Sequence, residues 1–347
     1  MRYKGGVGMI QELNLTTKTQ TRIEWLDIAK GLGVLLVVIG HLWYKCPYPL
    51  VNQIIYSFHM PMFFILSGFV FKKGNLKFGS FVVSKSKRLL LPTLIFFVFG
   101  AVHLSILKEP FVDILRKFFF IDGKCPFNDP CWYFITLFQL LIVSYFLNLD
   151  KSSYILKIFF IIIAFISGLI FYKFEEPLYF GISRTIIAFV FFSLGTVLGQ
   201  LNRQGKNIQK AYLKALIIIG CFALWVLCGV VLNDKVSFYS MILGNYFYFI
   251  MAGICGSIVF IELCKLLQKT KIIKNFLIKT ADNSILIIGT HYFLRYRFEE
   301  IMAPLGLFKT WQYCLIVLCF SVVIILIYNL VGPFFKKHLP IITGNMK

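Results

Sequence analysis

The stretch Arg22–Phe69, RIEWLDIAKGLGVLLVVIGHLWYKCPYPLVNQIIYSFHMPMFFILSGF, decides how the chain is read. It holds two apolar helical runs, and each carries ionisable groups that lipid would reject. Asp27 and Lys30 open the first run, His41 lies near its end, and His59 opens the second. Lys30 and His41 are eleven residues apart. At about 100° per residue that is three turns, so both project from one face, roughly 16 Å apart along the axis. Asp27 lies three residues before Lys30 on the same side, within pairing range. A charged or imidazole group in a spanning helix faces a cavity or a partner rather than lipid, because hydrocarbon cannot solvate it.

The rest of the chain extends that pattern. Its 347 residues are 59% hydrophobic and 15% charged, with mean hydropathy +0.79. A soluble domain has about a quarter of its residues charged, so the chain is expected to be an all-α, polytopic membrane protein. Ten apolar runs are long enough for a bilayer, over residues 27–44, 51–71, 89–107, 132–149, 154–172, 181–200, 212–232, 239–265, 283–298 and 311–333. Turn and charge clusters such as KKGNLK, EEP and NRQGKN separate them. Ten crossings put both termini on one side. Of the 36 Lys and Arg residues, 24 fall on that side and 11 on the other, with Lys30 inside a helix. Basic loops stay in the cytoplasm, so both termini are expected there. The net charge of +21 is then accounted for by orientation and anionic headgroups, with no call for nucleic acid. The domain reading is a cytoplasmic tail at 1–21, a membrane domain at 22–335 and a cytoplasmic tail at 336–347. No cleaved signal peptide, attached soluble domain or internal repeat is evident.

The nine cysteines show no CxxC metal spacing, and no histidine pairs with a carboxylate or second histidine at helical spacing, so no metal is expected. Cys125 and Cys131, in the loop Lys108–Cys131, are candidates for a disulfide if that loop lies outside. Orientation gives the histidines their depths. His41 and His59 lie toward the outer ends of adjacent helices. In NSILIIGTHYF, Ser284 and His291 are seven residues apart and share a face, with Ser284 near the cytoplasm and His291 at mid-membrane. Histidine is the side chain suited to proton exchange near neutral pH. His103 has no polar neighbour at helical spacing and reads as a buried imidazole with a partner. In KSKRLLLP, Lys85 and Lys87 read as membrane anchors, and Arg88, the deepest, suits a phosphate.

The segments WLDIAKGLGVLLVVIGH, IYSFHMPMFFILSGFVF, KRLLLP, RTIIAFVFFSLGTVLG and ADNSILIIGTHYF, in that order, resemble the acyltransferase 3 family, and most closely its fucose 4-O-acetylase-like branch. The resemblance implies a bacterial inner-membrane enzyme that moves an acyl group, usually acetyl, from acyl-CoA to a hydroxyl of a cell-surface glycan. The family's pattern of a basic residue, ten residues and a histidine falls on Lys30 and His41. Many members carry Arg at the first position, and Lys lacks its bidentate fork. Some members add an extracytoplasmic hydrolase-type domain. None is seen in this sequence, so the membrane domain is expected to deliver the acyl group itself.

Residues and resemblance together imply a mechanism. Acyl-CoA docks from the cytoplasm with its phosphates near Arg88 and Lys30, and Ser284 contacts the donor. Asp27 orients Lys30. His41 acts either as general base on the acceptor hydroxyl or as a transient acyl carrier. His59 and His291 hold the acceptor or polarise the thioester carbonyl. Two other classes also fit ten helices with buried histidines: a proton-coupled carrier or lipid-linked sugar flippase, and a membrane sensor domain.

Overall fold

The computed structural model describes residues 22–106, 110–116, 129–174, 179–206 and 210–345. The helices are α1 Glu24–Trp43, α2 Pro49–Phe69, α3 Phe78–Lys85, α4 Leu91–Ile106, α5 Phe111–Arg116, α6 Trp132–Phe146, α7 Tyr154–Phe174, α8 Ile182–Arg203, α9 Ala211–Val226, α10 Tyr246–Leu267, α11 Lys271–Asp282, α12 Ser284–Met302 and α13 Trp311–His338. A π-helical turn, Ser86–Leu90, joins α3 to α4, and a second, Leu227–Val231, ends α9. The described residues contain no strand, only an isolated bridge between Ser237 and Ile242. The protein is an all-α polytopic membrane protein.

Eight helical stretches are long and apolar enough to cross a bilayer. They answer to eight of the ten expected runs, and the other two differ for local reasons. The third falls on α4, which has only 16 residues and is preceded by α3 and the π-turn as a flanking segment. The ninth is helical as α12, but its second half carries two ion pairs, Arg295–Glu299 at 2.7 Å and Arg297–Glu300 at 2.6 Å. The eighth starts at Tyr246 rather than 239. Met241 and Gly244 take left-handed conformations, and Asn245 caps the helix by accepting from the Phe247 and Tyr248 amides. The amphipathic α11 was not expected as an element. Twelve residues are too few to cross a bilayer.

Close backbone contact organises the centre. On α8 the GxxxG pair Gly195 and Gly199 faces the carbonyls of Ile65 and Phe69 on α2, and Gly68 on α2 faces the carbonyl of Phe192. A Cβ at any of the three would lie 2.0–2.2 Å from those oxygens, so only glycine lets these helices meet. Gly31 on α1 does the same against the Leu277 carbonyl of α11. The periphery is the opposite. α9 buries no residue, and α7 exposes Ile155, Ile158, Phe159 and Ile162. Apolar faces of that extent are what acyl chains cover.

Candidate active site

Four helices, α1, α2, α6 and α12, run along two adjoining cavities, and the i, i+4 periodicity of a helix decides which residue meets which. On α2, His59 lines the smaller cavity, Phe63 both, and Ser67 the larger. On α12 the ladder is Tyr292, Ile288 and Ser284 in the same sense. On α6, Trp132 lines the smaller cavity, Tyr133 both, and Leu137 the larger. On α1, His41 belongs to the smaller cavity, while Asp27 and Lys30 belong to the larger. The expected separation of Lys30 from His41 along one helix face is therefore the separation of two chambers. Phe63, Tyr133 and Ile288 form the waist between them.

The larger cavity, about 360 Å³, is basic. Lys30, Lys72, Lys85, Arg88 and Lys336 line it against two carboxylates, Asp27 and Asp282. Such an excess draws anions. The π-turn carries Arg88 to the lining. Burial, and after it the neighbouring Arg88, pushes the Lys85 ammonium below its ordinary range. Asp27 chiefly holds Arg22, whose Nε donates to it at 2.5 Å, and Arg22 also reaches Asp282 at 2.8 Å. The expected Asp27–Lys30 pair is looser, at 4.0 Å, which leaves the Lys30 ammonium turned to the cavity. Both ends of the described chain meet here. Arg22 binds Asp282 of the lining, and Thr343 and Asn345 contribute to the wall. The segment read as a tail from residue 336 thus begins inside α13 and then folds over the cavity.

The smaller cavity, about 140 Å³, has no Lys or Arg among the described residues of its lining. His41 Nδ1 lies 2.8 Å from His291 Nε2, and the two rings are within 9° of one plane. His291 Nδ1 is in turn 2.8 Å from the Ile287 carbonyl oxygen. A carbonyl only accepts, so His291 carries its proton on Nδ1 and Nε2 is its acceptor. His41 must then donate from Nδ1, which leaves the lone pair on its Nε2. His59 Nδ1–H likewise donates to the Ile55 carbonyl at 2.8 Å, leaving Nε2 as an acceptor. The structure thus brings all three singled-out intramembrane histidines together. It gives His291 a partner on each nitrogen, and His103 lines neither cavity.

Several site residues escaped sequence reasoning. Tyr292 packs edge-on against both His41 and His291, at 5.0 and 5.6 Å between centroids. The Arg295 guanidinium lies over its ring, 4.6 Å from the centroid. Spacing alone offered a signal for Tyr292, eight residues after Ser284, but one tyrosine among seventeen is not conspicuous. Asp129, Trp132 and Tyr239 come from the end of the long loop, the start of α6 and the bend before α10, and no sequence spacing links them. Tyr239 donates to Asp129 at 2.9 Å. Cys125 lies outside the described residues, while Cys131 is buried. Among the described residues, no three His, Cys, Asp or Glu side chains come together as a metal site.

An anion-attracting chamber joined to a chamber with a poised imidazole suits group transfer from a large anionic donor. A model of the acyltransferase 3 family, described as an acyltransferase domain, matches residues 23–330. No curated protein and no solved structure gives a match. An enzyme of acyl transfer replaces the carrier and sensor alternatives. The chain belongs to the acyltransferase 3 family, and it is a multi-pass membrane enzyme that moves an acyl group from a donor to an acceptor.

Proposed function

We propose that the protein O-acetylates a cell-surface or exported glycan in the bacterial inner membrane, with acetyl-CoA as donor and both termini in the cytoplasm, as in the fucose 4-O-acetylase-like branch. The observation that carries this reading is the hydrogen-bonded series from the Ile287 carbonyl through His291 to His41 beside a basic cavity. Lys30, Lys85 and Arg88 hold the phosphates of CoA on the cytoplasmic side, assisted by Ser284. The thioester extends through the waist to His41.

There the His41 Nε2 lone pair takes the proton of an acceptor hydroxyl as its oxygen attacks the thioester carbonyl. The tetrahedral intermediate collapses with cleavage of the C–S bond, and the imidazolium returns the proton to the departing CoA thiolate. His291 fixes the tautomer and plane of His41, as a third group orients the base in other acyl-transfer sites. His59 Nε2 accepts a hydrogen bond from the acceptor sugar. Tyr56 and Tyr292, which line the same cavity, supply O–H donors for the developing oxyanion. Trp132 and Tyr239 offer faces for a sugar ring.

Mass analysis of surface glycans tests this reading. A deletion strain loses the increment of one acetyl group per modified sugar, and the wild-type gene restores it where His41→Ala does not. A glycan profile unchanged by deletion would remove glycan acetylation from consideration.

A further inference from the structure

The waist is built differently from the chambers it joins. Phe63 and Ile288 are buried and apolar, and Tyr133 turns its hydroxyl to Ser67 Oγ, 3.2 Å away. Its parts are held still. The Phe63 ring rests on α1 where Gly33 lacks a side chain: a Cβ there would lie 2.7 Å from Phe63 Cζ. The Tyr133 ring is flanked by Phe63 and Phe64, at 5.7 and 5.3 Å between centroids. Ile288 is β-branched and stiff at χ1. No methionine, the side chain that adapts to varied shapes, belongs to the trio.

An apolar, stiff passage treats the two ends of an acyl donor differently. Phosphates cannot enter it without losing solvation and counter-charges, so the charged end stays among Lys30, Lys85 and Arg88. The acyl end can enter, but beyond the waist it meets a cavity of about 140 Å³ that the acceptor hydroxyl must share, against about 360 Å³ behind it. We propose that Phe63, Tyr133 and Ile288 form a selectivity filter that admits an acetyl-sized acyl group to His41 and holds longer acyl chains back. The proposal rests on the acyl-CoA reading above and adds to it the residues that select the donor by the length of its acyl group.

Membranes from the native host, carrying the native acceptor and overproducing each variant, are supplied with acetyl-CoA, propionyl-CoA or butyryl-CoA. Acceptor-dependent release of the CoA thiol is measured, and CoA binding to the purified protein is measured in parallel. Ile288→Ala is expected to raise the butyryl-to-acetyl rate ratio about tenfold, the scale on which hydrophobic pockets distinguish a few methylenes. Ile288→Val, which perturbs folding least, gives a smaller rise in the same direction. Ile288→Phe lowers acetyl transfer while CoA binding is retained. A ratio unchanged in both shortened variants, with CoA still bound, would overturn the filter and leave the acyl-CoA reading intact. Failure of the wild-type protein to bind CoA would overturn both.

Discussion

The two cavities share Phe63, Tyr133 and Ile288 and little of their chemistry. Among the described residues, one gathers five cations around two carboxylates, on side chains with some exposure. The other has none of those cations, and its working groups are held by backbone carbonyls: Ile287 for His291 and Ile55 for His59. The contrast teaches how the proposed mechanism divides its work: the first chamber binds by charge and tolerates substitution, whereas the second acts by hydrogen-bond direction and does not. Charge attracts from many positions, but a lone pair serves catalysis only where its tautomer is fixed.

Substitutions in the two chambers should therefore differ in kind and size. In the proposed mechanism His41→Ala removes the base, and it is expected to lower kcat by about 10²–10⁴-fold, with donor affinity kept. Such a variant working at full rate would dissolve the distinction. His291→Phe leaves the ring of His41 without its acceptor, and kcat should fall about a hundredfold. His291→Gln, whose amide oxygen can accept, should recover part of that loss and sharpens the claim that direction matters. In the basic chamber Lys30→Gln should raise KM for acyl-CoA about tenfold, the cost of one charge-assisted hydrogen bond, with kcat nearly unchanged. A fall in kcat alone would move Lys30 into the chemical step.

The smallest effect expected is on pH dependence. Burial and Arg88 disfavour the charged form of Lys85, so Lys85 loses its proton at lower pH than an ordinary lysine. The charged form is the one that attracts phosphate. Donor binding should thus weaken as pH rises through that lowered pKa, and titration of KM against pH should give a flatter curve for Lys85→Gln. Equal slopes in the two proteins would exclude Lys85 from the donor site.

Much of this division was legible in the sequence. The spacing of Lys30 from His41 was enough to set them toward opposite ends of one helix, and that of Ser284 from His291 to set one at a helix start and the other in its middle. Apolar length gave most of the spans, because a bilayer imposes its thickness directly on composition. What the sequence withheld depends on contacts between distant segments. Nothing local says that His291 meets His41, 250 positions away, rather than a substrate. The π-turn that carries Arg88 and the left-handed bend before Asn245 are likewise set by packing. α12 was hard to read for an electrostatic reason: its charges are matched within the helix and by Lys45, whose Nζ lies 3.1 Å from Glu299.

The central claim is that His41, its proton on Nδ1 and its lone pair on Nε2, is the base that acts in the smaller chamber on a donor held in the larger one. The most direct test is single-turnover transfer of a labelled acetyl group from acetyl-CoA in native-host membranes containing wild-type protein, His41→Ala or His291→Phe. Direct transfer predicts label passing from CoA to acceptor without a protein-bound intermediate, slowed about 10²–10⁴-fold in His41→Ala and less in His291→Phe. Label trapped on the wild-type protein before it reaches the acceptor, or normal transfer by His41→Ala, would contradict it.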